Sequence, residues 1–256
     1  MKSPQISAAL ATFNEEENIL DCIESLKKFA DEIIVADGSS SDRTVEISQN
    51  AGAKVISTTN KPMFHINKNM AIDACKGKWV FLIDADERVS DELAKEIKEK
   101  VISKPKENGF FVPRANWFLG GFLKKGGAYP DSVLRLFKNG KGRLPEVTVH
   151  EQVKIDGETS SLKNDILHLA DPNFQRYLKR ANRYTEETAS RIKKKDPGTS
   201  FLSLVFYSIL KPAATFTNIY LKHKGYQDGF RGFAWAFFSA FHHFFAYVKY
   251  FRGARG

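Results

Sequence analysis

Cysteine is nearly absent from this chain of 256 residues: Cys22 and Cys75 are the only two, each inside an apolar periodic stretch. Two such thiols make no disulfide framework, so a stapled secreted scaffold is excluded and two buried free thiols in a reducing compartment are expected. The N-terminus, MKSPQISAALATFNEEEN, lacks an apolar h-region and a small-residue cleavage pattern. That reads as no signal peptide and a cytoplasmic location. Long hydrophobic runs are also missing. FLSLVFYSIL (201–210) and the phenylalanine-rich stretch after Asp228 both fall short of the roughly 20 predominantly apolar residues that a spanning helix needs. No internal repeat or low-complexity tract is present.

Acidic residues are scarce in one region only. Residues 171–256 hold 15 Lys/Arg against 5 Asp/Glu, whereas residues 1–170 hold 24 against 25. Residues 201–256 also carry 17 of the 32 aromatic residues. The reading is a near-neutral domain over 1–170 followed by a basic, aromatic segment over 171–256, which suits an anionic surface such as lipid or nucleic acid.

Within the first hundred residues, strand and helix patterns alternate. QISAALATF, EIIVAD, AKVIST and KWVFLIDAD read as strands. Between them, NEEENILDCIESLKKF, SDRTVEISQNAG and HINKNMAIDACKG read as helices, the last two closed by Gly52 and Gly77. SDELAKEIKEKVIS follows as a helix capped by Ser90. This alternation predicts an α/β fold with a mainly parallel sheet covered by helices on both faces. GFFVPRANWFLGG and SVLRLFKNGK then predict a second, mixed sheet region. The stretch 171–195 reads as a helix with Phe174, Tyr177, Leu178, Ala181 and Tyr184 on one face, and Pro197-Gly198 as a boundary.

Strand ends carry the chemistry. Asn14-Glu15-Glu16 follows the first strand, Asp37 ends the second, and Asp84-Ala85-Asp86-Glu87 follows the fourth. Ligands of open α/β sheets collect outside the carboxyl ends of strands. Helix capping accounts for Glu15–Glu17 as well as a site does, and Glu87 equally suits a cap for the helix near Ser90. Asp84 and Asp86 are harder to place, because carboxylates two residues apart repel unless a cation lies between them. Mg²⁺ or Mn²⁺, completed by water and phosphate oxygens, would remove the conflict.

The stretches ATFNEEENI, IIVADGSSSDRT, KNMAIDACKGKWVFLIDADE and VHE together resemble a family 2 glycosyltransferase of the GT-A fold, in the group that builds lipopolysaccharide core and cell-surface glycans. The likeness covers about residues 5–170, and GYQDGFRGF extends it to the C-terminal part. It implies a nucleotide-binding half (1–100) and an acceptor half (101–170). Thr12, Asn14 and Glu15 would line the nucleotide pocket, with Asp37 accepting from a uracil N–H and Lys68 close by. Asp84, Ala85 and Asp86 would form the DxD motif that joins metal to diphosphate. His168 would add a metal ligand, Arg135 would neutralise diphosphate charge, and Glu151 would be the general base for an acceptor hydroxyl. Each has a plainer alternative: surface carboxylate for Glu151, core histidine for His168, structural ion pair for Arg135, solvated helix lysine for Lys68.

The implied reaction is inverting transfer from a UDP-sugar to a glycan or glycolipid hydroxyl. A polyprenyl-phosphate glycosyltransferase, whose phosphate acceptor needs no base, is the alternative. A haloacid-dehalogenase-type phosphatase also uses Asp-x-Asp, but after its first core strand rather than its fourth. A nucleic-acid partner is not expected, since it leaves the carboxylates unexplained. The basic, aromatic C-terminal segment reads as lying peripherally on the inner face of the cytoplasmic membrane. Packing on the catalytic domain or on a second copy of the chain is its rival.

Overall fold

Apolar residues alternate along ISAALAT: Ile6, Ala8 and Leu10 enter one core cluster and Ala9 another, so both faces of this strand are covered. The same two-residue period sorts Ile33 and Val35 from Ile34 and Ala36, and Phe81 from Val80 and Leu82. In a computed structural model, residues 5–147, 152–170, 173–195, 197–198 and 200–253 are described. The chain divides into two compact units, Met1–Arg114 with Asp131–Leu169, and Ala115–Pro130 with Ala170–Gly256.

The first unit opens with β1 (Ile6–Thr12), α1 (Ile19–Leu26), β2 (Glu32–Asp37), α2 (Thr44–Asn50), β3 (Lys54–Ser57), α3 (Phe64–Asp73) and β4 (Trp79–Leu82). It continues through β5 (Glu87–Val89), α4 (Asp91–Ile102) and β6 (Gly109–Val112). The chain then forms β7 (Arg114–Phe118) and β8 (Gly121–Phe122), which from Ala115 onward belong to the second unit, and returns to the first with β9 (Val133–Lys138), β10 (Gly142–Arg143), β11 (Lys154–Ile155), β12 (Thr159–Ser161) and β13 (Ile166–His168). A seven-stranded sheet has the order β12-β6-β9-β4-β1-β2-β3. The strands β1 to β4 are parallel, as expected, while β9 runs antiparallel to both β4 and β6. The expected second sheet is corrected in part: β6 and β9 extend the first one, whereas β7 and β8, from the same stretch, pair antiparallel in a separate sheet. Because α3 carries the chain back across β1, the carboxyl ends of β1 and β4 flank a topological switch point.

Local signals behave as their physics requires. Ser90 Oγ accepts the Leu93 amide at 3.1 Å and caps α4, so the capping role considered for Glu87 is corrected. Gly52 stops α2 with φ of +85°. Gly77 does not close α3, which ends at Asp73. A Cβ at Gly77 would lie 2.5 Å from Ser7 Oγ and 2.7 Å from Ser7 N, so close approach to β1 is what requires glycine. Both cysteines are free and buried. Burial pushes the Cys75 thiol up to about 12, and it raises Cys22 as well.

The second unit adds α5 (Phe174–Lys195), α6 (Phe201–Val205), α7 (Lys211–Thr217) and α8 (Gly229–Gly253). Two π-helical turns, Phe206–Leu210 and Asn218–Lys222, lie before and after α7. Of the expected face of α5, Tyr177 is buried and Ala181 packs against the same cluster, whereas Phe174, Leu178 and Tyr184 are exposed; Thr185 and Ile192 are buried as well. Packing against α8 decides this, through Thr188 Oγ1 at 2.9 Å from His242 Nε2 and Lys249 Nζ donating to Asn182 O at 2.8 Å. Gly232 is obligatory at the start of α8, since a Cβ there would meet Gly225 O at 1.8 Å.

Candidate active site

The turn after β4 is built so that neighbouring carboxylates meet separate partners. Leu82 ends the strand, Ile83 is buried, and Ala85 turns its methyl into the core while its carbonyl accepts from Arg88 Nη1 at 2.8 Å. Asp84 thereby meets Lys68 and Arg135, and Asp86 meets His168.

Asp84 is paired on both oxygens. Lys68 Nζ contacts Oδ1, and Arg135 Nη2 donates to Oδ2 at 2.8 Å. Burial alone would raise this carboxyl; the charges of Lys68 and Arg135 and their hydrogen bonds outweigh it and hold Asp84 well below the usual carboxylate range. Positive charge beside Asp84 is supplied by Lys68 and Arg135 of the chain itself. Arg135 is ion-paired with both Asp84 and Glu87. Lys68, from buried positions of α3, is not a solvated lysine.

Arg135 continues into Glu87, a fully buried carboxylate that sequence reasoning ranked low. Arg135 Nη2 lies 2.7 and 2.8 Å from its two oxygens, and Arg114 Nη1 donates at 3.3 Å. Glu87 Oε2 in turn accepts the Asp84 amide at 3.0 Å, and Asp131 Oδ2 holds Arg114 at 2.5 Å. Opposing charges raise the Arg135 guanidinium against the effect of burial. Its Nε is buried with no hydrogen-bond partner.

His168 arrives on β13, which pairs antiparallel with β5 so that His168 stands opposite Glu87. Its Nε2 is 3.5 Å from Asp86 Oδ2, and Leu169 N donates to Asp86 O at 2.8 Å. Among the described residues no group of three His, Cys, Asp or Glu side chains could hold a metal by itself. A carboxylate facing an imidazole does fit an ion that keeps water and substrate phosphates in its other positions.

The expected nucleotide residues lie at the ends of β1 and β2. Asp37 Oδ1 accepts from Thr12 Oγ1 at 3.0 Å and Ser40 Oγ at 2.6 Å, and its Oδ2 accepts from Ser40 N at 2.8 Å. Asn14 adopts φ of +55°, which asparagine tolerates, and its Oδ1 accepts from Ser41 N at 2.8 Å. Glu15 bonds Asn18 Nδ2 at 2.8 Å. Two loops are thereby stitched into one rim. Sequence reasoning missed α3 as an organiser. His65 Nδ1 lies 2.7 Å from Pro145 O, and Asn69 Nδ2 donates to Leu144 O at 3.0 Å, so the helix carrying Lys68 also anchors 144–146. Glu151 lies outside the described residues.

A family model described as Glycosyl transferase family 2 matches residues 7–125. The lipopolysaccharide core biosynthesis glycosyltransferase LpsC of Rhizobium meliloti is 28% identical over 256 residues, 95% of this chain and 91% of that protein. The uncharacterized glycosyltransferase RT0209 of Rickettsia typhi is 28% identical over 258 residues, 96% and 86% of the two chains. Among solved structures, the mannosyltransferase PcManGT of Pyrobaculum calidifontis, in complex with GDP-Man and Mn²⁺, aligns with a TM-score of 0.55 at 14% identity, covering 98% and 88%. TarS 1–349 of S. aureus, in complex with UDP, aligns with a TM-score of 0.50 at 16% identity, covering 88% and 75%. These structural likenesses speak to the fold, which is GT-A.

Proposed function

We propose that this chain is a family 2 glycosyltransferase and that it moves a sugar from a UDP-sugar to a hydroxyl of a lipopolysaccharide-core or other cell-surface glycan presented at the inner face of the cytoplasmic membrane. The observation that carries this reading is the convergence of Lys68, Arg135, Asp84, Asp86 and His168 beside the carboxyl ends of parallel strands.

Each group has a task in that reaction. Thr12, Asn14, Glu15 and Asp37 form the rim that takes the uridine. Lys68 and Arg135 supply positive charge where the diphosphate departs, in a partly dry site where that charge counts for more than in water. Where Mg²⁺ or Mn²⁺ is bound, Asp86 and His168 would hold it, and its charge would stabilise the leaving diphosphate. Glu87 keeps Arg135 aimed at Asp84. Glu151 removes the acceptor hydroxyl proton as the sugar transfers.

Thermal-shift titration with UDP-sugars and GDP-sugars, with and without Mn²⁺, tests the reading. A ligand at 100 times its dissociation constant stabilises by about 2.7 kcal/mol, and a nucleotide-dependent shift of that order is the expected result. Absence of any such shift overturns it. Glu151→Gln is expected to abolish transfer to a hydroxyl; retained transfer to a polyprenyl phosphate would move the assignment to that acceptor.

A further inference from the structure

Over its first four turns helix α8 buries small residues and exposes a row of phenylalanines, while further along it buries Tyr247 and Tyr250. Gly232, Ala236 and Ala240 are buried, whereas Phe230, Phe233, Phe237, Phe241 and Phe245 are 37–76% exposed. Their spacing places all five on one face of the helix. The rings form a ladder, with centroids 6.0 Å apart for Phe233–Phe237, 4.4 Å for Phe237–Phe241 and 6.3 Å for Phe241–Phe245. Phe216 and Tyr220 join it at Phe233, at 5.9 and 6.0 Å. A helix that buries alanine and exposes phenylalanine is shaped for a partner rather than for its own core.

Charge selects the partner. Residues 201–256 contain seven Lys/Arg and a single acidic residue, Asp228. Asp228 Oδ2 already accepts from the backbone amides of Lys124 and Lys125, at 3.0 and 2.8 Å. Exposed Lys222 and Lys224 follow Tyr220 at one end of the ladder, and exposed Arg252 ends the other. A second copy of this chain would set like charge against like, whereas anionic headgroups complement it. Among the described residues no helix is long and apolar enough to cross a membrane, so the fitting geometry is a helix lying in the interface plane.

We propose that α8 and the Phe216–Lys224 stretch form a membrane-docking surface, with the phenylalanine ladder in the headgroup–acyl boundary of an anionic bilayer and Lys222, Lys224 and Arg252 on lipid phosphates. This rests on the reading of a membrane-borne acceptor and deepens it by naming the surface that meets the bilayer.

The test is co-sedimentation of the full chain with vesicles of phosphatidylcholine alone and of equal parts phosphatidylcholine and phosphatidylglycerol, alongside the UDP-induced thermal shift. Binding is expected to the mixed vesicles and to weaken with salt. Phe245→Ser and Phe230→Ser each lower partitioning on the order of tenfold, and Lys222→Gln lowers it about fivefold, ~1 kcal/mol for one cation. All three variants keep the UDP shift, which also reports that they fold. Unchanged partitioning in the phenylalanine variants overturns the proposal, as does a loss of self-association in them with vesicle binding intact. Loss of the UDP shift in the parent with vesicle binding retained would sink the glycosyltransferase reading and leave the docking surface standing.

Discussion

Arg135 Nη2 lies 2.7 Å from Glu87 Oε1, and the Glu87 side chain has no exposure to solvent. The same nitrogen reaches Asp84 Oδ2 at 2.8 Å, so one buried cation ties a hidden carboxylate to one at the site. Glu87→Gln removes the charge that compensates both Arg135 and Arg114. Breaking a buried pair by neutralising one partner costs about 3–5 kcal/mol, and urea unfolding should show a loss of that order. A loss under about 1 kcal/mol, the range of exposed pairs, would show that the network does not anchor the turn after β4.

Asp84 sets an acid limit. Its folded pKa is depressed below the ordinary 3.8 by Lys68 and Arg135. A depressed carboxyl contributes stability that is fully present above the unfolded pKa and disappears as pH falls through the folded value. Stability should therefore decline below about pH 4, and Asp84→Asn should flatten that limb when unfolding is followed by urea titration between pH 5 and pH 2. An unchanged limb would place the acid sensitivity elsewhere.

His243 acts over a different window. Burial first, then Lys211 and His242, hold its imidazole down at about 4, and its Nδ1 is buried without a partner. The unfolded chain takes up this proton near pH 6.5 and the folded chain does not, so stability falls as pH drops from about 6.5 toward 4. Thr188 bonds His242 rather than His243, and Lys249 acts on His242. His243→Phe should remove most of the slope in that interval, measured by thermal unfolding; a slope that survives belongs to other groups.

Much of the first unit was legible because its rules are local. Alternation along β1, β2 and β4 exposes the two-sided burial, and Ser90 announces its cap one turn ahead. Asp84 and Asp86 stand out because acids at a strand end are unusual. Glu87 was misjudged because its partners are 27 and 48 residues away, at Arg114 and Arg135, and no periodicity reports them. The need for positive charge beside Asp84 was legible; that Lys68 and Arg135, distant in sequence, both supply it was not. On α5 the sequence offers Tyr177, Leu178 and Tyr184 on similar terms; packing against Phe118 and Phe238 selects Tyr177 for burial.

The two halves of the charge cluster should separate in a binding experiment. Lys68 and Arg135 carry permanent charge, so their attraction for a diphosphate exists with or without a divalent ion. Asp86 and His168 repel or ignore a diphosphate by themselves and attract it only through a bound ion. Lys68→Met should weaken UDP binding in chelator and in Mn²⁺ alike, by about 1.5–3 kcal/mol for a lost charge-assisted hydrogen bond, roughly 10- to 100-fold in Kd. His168→Ala should leave the chelator value near the parent's and erase the gain on adding Mn²⁺, and Asp86→Asn should do the same. Isothermal titration of the four proteins with UDP, each in both conditions, reads the contrast directly. If Lys68→Met lost only the Mn²⁺-dependent gain, Lys68 would be acting through Asp84 on the ion rather than on phosphate, and the division of labour drawn here would be reversed.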